Sequence, residues 1–106
     1  MKKQAILTGQ APAEQIAEWK ARFKYGIYAV EVDGHIAYFK NPGRDEINYA
    51  MSKADSDRVL AVFEELANVT FIGGSRDVLE DDQKFIGASQ ELRVKLDGKR
   101  AKLVNL

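Results

Sequence analysis

The chain reads as an α+β fold, mainly helical: an N-terminal helix, a β-hairpin over about residues 26–40, then three or so packed helices. Three observations predict it. Asp33-Gly34 separates two runs rich in β-branched and aromatic residues, the strongest short-range hairpin signal. Apolar residues recur at helical spacing before that hairpin and in several segments after it. A length of 106 residues suits one domain, here 1–106, with residues 1–10 and about 98–106 loosely held.

Each element follows from local chemistry. Pro12 fits a first helical position, and Glu14 favours the positive end of the helix dipole. Ile16, Trp19 and Phe23 then form one stripe of a helix ending near Lys24, better suited to core packing than to docking a partner. Ahead of this helix, QAIL could add a short strand. A two-residue turn at Asp33-Gly34 pairs Val32 with His35, Val30 with Ala37 and Tyr28 with Phe39, and puts these six on one face. The opposite face carries Ile27, Ala29, Glu31, Ile36, Tyr38 and Lys40, and is half apolar. A sheet with one solvated face alternates more cleanly, and an isolated two-stranded ribbon is marginal. The second face is therefore expected to be covered by the first helix, a terminal strand, or a partner protein.

Asn41 suits an N-cap and Pro42 the N1 position of the next helix, whose apolar stripe is Ile47, Ala50, Met51 and Ala54. Asp55-Ser56-Asp57 starts a further helix with Val59, Leu60, Phe63, Leu66 and Ala67 as its face, ending at Asn68. Val69 to Ile72 reads as a buried strand or extended loop, and Gly73-Gly74 as a turn. The last helix runs from about Asp82 to Leu92, burying Phe85, Ala88 and Leu92. Beyond it, a continuing helix stopped near Gly98 is preferred over a second hairpin pairing Val94 and Leu96 with Ala101 and Leu103.

Composition removes several function classes. There is no cysteine, which excludes disulfides, thiolate metal sites and a cysteine nucleophile. No apolar run approaches a membrane span, and the apolar part of MKKQAIL is too short for a signal sequence, so a cytoplasmic location is expected. Net charge is zero but segregated: residues 55–91 hold three basic and nine acidic side chains, whereas residues 93–102 hold five basic ones against Asp97. The acidic centre argues against a nucleic-acid partner, since only Lys95, Lys99, Arg100 and Lys102 would serve.

Candidate sites are weak. Gly73-Gly74-Ser75 lacks the lysine and hydroxyl register of a P-loop and the spacing of a dinucleotide fingerprint. Asp77, Glu80, Asp81 and Asp82 would repel a phosphate there. Ser75 and these acids fit helix-start chemistry better, and they lack the spacing of a calcium loop. His35 is the sole histidine, with no acid or serine arranged around it in sequence. No catalytic residue, metal ligand or cofactor is assigned. The partner-binding candidates are Ile36 and Tyr38 on the second hairpin face, Arg44 in the Pro-Gly-Arg turn beside the hairpin's end, Tyr49 off the apolar stripe of its helix, and Glu64 and Glu65 as acidic steering groups. Arg44 suits a phosphate or partner carboxylate as well as it suits an ordinary surface pair with Asp45 or Glu46.

The order YFKNPGRDEINYA, DSDRVLAVFEELANV, TFIGGSRDVLEDDQKFIGASQEL is similar to the small tail assembly chaperones of tailed bacteriophages and prophages. The likeness spans roughly residues 26–95. It rests on Phe39-Lys40-Asn41-Pro42 at a strand end, on Arg44, Glu46 and Ala50 in the next helix, and on Glu91-Leu92. The resemblance implies a non-enzymatic role, a mostly helical fold with a small β element, and a client that is a tape measure or tail tube protein. It supplies no catalytic residues. A self-associating structural protein of the same assemblies is the alternative, which makes a homo-oligomer an expected partner state.

Overall fold

A computed structural model describes residues 6–53, 60–97 (backbone only for 94–97) and 101–106. Expectations placed on Gln4, Ala5, Ala54, Asp55-Ser56-Asp57, Val59, Gly98, Lys99 and Arg100 lie outside the described residues. The elements are α1 (Ala13–Arg22), β1 (Ile27–Val32), β2 (His35–Lys40), α2 (Arg44–Lys53), α3 (Ala61–Thr70), β3 (Phe71–Gly74), α4 (Asp77–Glu80) and α5 (Asp82–Asp97). This is the α+β architecture the sequence predicts. The differences lie at the joints.

The hairpin forms in the expected register, with Val32 opposite His35, Val30 opposite Ala37 and Tyr28 opposite Phe39. Asp33 and Gly34 adopt φ of 50° and 77°, the left-handed pair that matches the strand twist. β3 adds to the other side of β2, antiparallel, so the sheet order is β1-β2-β3. Gly73 and Gly74 are therefore strand residues opposite Tyr38 and Ala37, a correction to the expected turn. Both are glycines for want of space. A Cβ on Gly73 would stand 2.7 Å from the Trp19 indole, and one on Gly74 would stand 2.6 Å from the carbonyl oxygen of Ile36.

Both faces of the sheet are covered. On one, Val30, Ala37 and Phe39 meet Phe63 and Ala67 of α3, Val78 of α4, and Phe85, Ala88 and Leu92 of α5. Tyr28 stacks on Phe39 there with ring centroids 5.4 Å apart. On the other, Ile36 and Tyr38 meet Trp19, with Leu7, Ala11, Ile16 and Phe23 packed around them. Just after the expected QAIL strand, of which Gln4 and Ala5 are not described, Thr8 forms a bridge: its N–H donates to Gly34 O and its carbonyl accepts from Ile36 N–H, each at 2.9 Å.

Helix ends depart from expectation where side chains found other partners. The Asn41 amide donates to the Tyr25 carbonyl rather than capping, and α2 starts at Arg44. Glu46 Oε1 reaches back to accept the Gly43 N–H at 2.8 Å, half of a capping box. α3 runs two residues past Asn68, because the Thr70 hydroxyl donates to the Leu66 carbonyl at 2.7 Å and so satisfies a buried polar group. α5 continues to Asp97, which settles residues 93–97 as helix rather than hairpin.

Two outcomes test this packing. Gly73→Ala drives a methyl into Trp19 and is expected to lower stability by about 1–3 kcal/mol in urea unfolding, an overpacking cost. Burial pushes the Tyr28 hydroxyl up to about 12, partly offset by a hydrogen bond with Thr70. Below the ordinary tyrosine value of 10 that contribution is fully present. It is lost as pH rises from 10 toward 12, by about 2–3 kcal/mol at most. The urea midpoint of the native chain should therefore fall more steeply over that window than that of Tyr28→Phe.

Candidate functional site

The sequence-predicted residues do not converge. Ile36 and Tyr38 are corrected outright as an open docking face: both are buried, at 7% and 5% exposure, beneath α1. The Trp19 and Tyr38 rings lie 5.2 Å apart, and the Tyr38 hydroxyl accepts the Ala11 N–H at 3.1 Å. The half-apolar pattern of that face marked an intramolecular layer. Arg44 and Tyr49 are both exposed on α2. Five helical residues apart, they point about 140° away from each other and share no face. Tyr49 carries Lys53 Nζ 5.6 Å from its ring centroid. Glu64 and Glu65 are half-buried on α3, and only Glu64 borders a hollow.

That hollow is one of two concavities that flank Leu60 among the described residues. α3 and α5 both lay one face on the sheet, through Phe63 and Ala67 and through Phe85, Ala88 and Leu92. A cavity of about 460 Å³ opens between Leu60 just ahead of α3, Glu64 and Asn68 of α3, Leu79 of α4, and Asp82, Gln83, Phe85 and Ile86 of α5. A second hollow of about 480 Å³ continues past Leu60 along Phe63, Ser89, Gln90 and Arg93. The two share Leu60 and together make a groove lined by apolar and polar side chains in similar measure, acidic at the Glu64–Asp82 end and basic at Arg93. Ile86 is 44% exposed within it, a large apolar side chain that the fold leaves without cover.

The groove's acidic end is built by α5's cap. The Asp81 carboxylate accepts the Lys84 N–H at 3.0 Å, and this hydrogen bond, with the Lys84 charge, holds its carboxyl below the usual range. Lys84 Nζ also lies 3.7 Å from Asp33 on the hairpin turn. One mostly buried ammonium thus ties the tip of the hairpin to the start of α5. The sequence pattern assigned no role to Lys84, Leu79 or Ile86. Ile86 stands one residue from Phe85 in a helix whose buried stripe had already been assigned, so periodicity alone gave no signal for it.

The Gly73-Gly74-Ser75 stretch resolves differently. Ser75 Oγ lies 2.8 Å from His35 Nδ1, so the hydroxyl does not cap a helix as expected. The Ser75 N–H donates to Ile36 O at 2.8 Å. These two interactions fasten the end of β3 to the start of β2. Among the described residues no three His, Asp or Glu side chains are placed to hold a metal ion, and no helix is long and apolar enough to cross a membrane. What the fold defines is a small α+β domain with an acid-ended groove of mixed apolar and polar lining among the described residues. No family model, curated protein or solved structure matches the chain.

Losing the Lys84 tie should affect the groove before it affects the core. Lys84→Met keeps the stem and removes the charge, so its amide protons at Gln83–Ile86 should exchange faster than in the native chain while those of β2 keep their protection.

Proposed function

We propose that this chain is a non-enzymatic protein-binding module that holds a segment of a client protein in the α3–α5 groove. The observation that carries this reading is the uncovered Ile86 beside Leu60, Leu79 and Phe85 at a concave surface, since such surfaces take apolar side chains of a partner. The resemblance to tail assembly chaperones supplies the kind of client: a tape measure or tail tube protein, held until it assembles. Glu64 and Asp82 at one end would steer a client segment with a basic flank.

The test is capture of a tagged chain's client from an induced host, identified by mass spectrometry, for the native sequence and for Ile86→Asp. A tape measure or tail tube protein recovered with the native chain and reduced about tenfold or more with Ile86→Asp is the expected result, because the substitution removes an apolar anchor and sets a carboxylate beside an acidic rim. Equal recovery with both proteins would remove the groove from this role.

A further inference from the structure

The segment at 101–106, Ala-Lys-Leu-Val-Asn-Leu, is non-helical and wholly exposed. It displays Leu103 at 90% and Val104 at 66% exposure, with Leu106 fully open. Three large apolar side chains in four residues, facing water, lie on the same small domain as a groove that exposes Ile86. Resting on the reading of that groove as a protein-binding site, we propose that its resident ligand, before any client arrives, is residues 101–106 of a second copy of this chain.

Length, charge and direction support this occupant. From Asp82 to Arg93 the groove follows eleven residues of α5, about 17 Å at the helical rise. Six residues in extended form span about 20 Å, so the segment fills the groove from end to end. Its apolar side chains can meet Leu60, Phe63, Leu79 and Ile86 among the groove's polar residues, and Lys102 is complementary to the exposed Asp82 at the acidic end. α5 leads away from its own groove: Asp97 lies about 6 Å beyond Arg93 along the axis, and residues 101–106 are exposed rather than folded back. Each copy thus offers one segment and one groove, and reciprocal exchange closes a two-fold dimer. A client able to compete for the groove would convert the dimer into client-bound monomer, so self-binding would shield Ile86 and raise the threshold for weak clients.

Sedimentation velocity of the full chain over a concentration series tests this, with Leu103→Asp/Val104→Asp as the segment variant and Ile86→Asp as the groove variant. Both sets of positions are exposed, and matching circular dichroism and urea midpoints would show that the fold is kept. The expected result is a concentration-dependent species of twice 11.9 kDa for the native chain, lost in each variant alone. Mixing the two variants should restore it, because one retains an intact segment and the other an intact groove. A native chain that stays monomeric at every concentration, or a dimer that survives either variant, overturns the proposal. Client capture separates the two readings. A monomeric native chain whose client binding still depends on Ile86 loses only the self-binding. A dimer that behaves as expected but holds no client loses only the chaperone role. If both hold, the segment variant should capture client several-fold better than the native chain.

Discussion

Everything in this fold leans on the central strand β2 being buried on both faces at once. Phe39 and Ala37 point into the layer of α3–α5, and Ile36 and Tyr38 point into the layer of α1. A three-stranded sheet has one strand whose backbone is fully paired, and here that strand also carries the least exposed side chains. The second layer closes because Gly73 has no side chain. The Trp19 indole takes the space a Cβ would need, so one aromatic ring covers both Tyr38 and the neighbouring strand. A larger residue on β3 would lift α1 and rehydrate Ile36 and Tyr38 together, which is why the two layers cannot be treated as independent.

The groove is a by-product of the same constraint. α3 and α5 are held by the sheet through their inner faces, and the Lys84 ammonium between Asp33 and Asp81 fixes where α5 begins. With both helices anchored at the sheet, their outer flanks cannot also close on each other. Leu60, Leu79 and Ile86 are left lining a gap. The acid end follows from helix-start chemistry, since carboxylates are favoured at the N-terminus of α5 and Asp81 serves as its cap.

The charge segregation visible along the chain takes on a spatial meaning as well. The acidic stretch builds one end of the groove, and the basic positions follow it in sequence from Arg93 through Lys102. A chain with zero net charge can still be strongly self-complementary when its charges are sorted in this way.

The sequence by itself determined the elements whose cause is local. Asp33-Gly34 set the hairpin and its register, because few residues tolerate that pair of left-handed angles. The stripes at Ile16, Trp19, Phe23 and at Phe85, Ala88, Leu92 set which helix faces are buried, because side-chain direction repeats with the helical period. Half-apolar alternation in β2 showed that its second face needed a cover. Only the tertiary structure decided that α1 was that cover rather than a client, which turned Ile36 and Tyr38 from docking residues into core. It also decided that Gly73-Gly74 forms a strand, since the reason lies in the Trp19 ring and the Ile36 carbonyl, both distant in sequence. The groove was hidden for the same reason. Its lining joins Leu60, Leu79 and Ile86 from three separate stretches of the chain, which only packing on the sheet brings together.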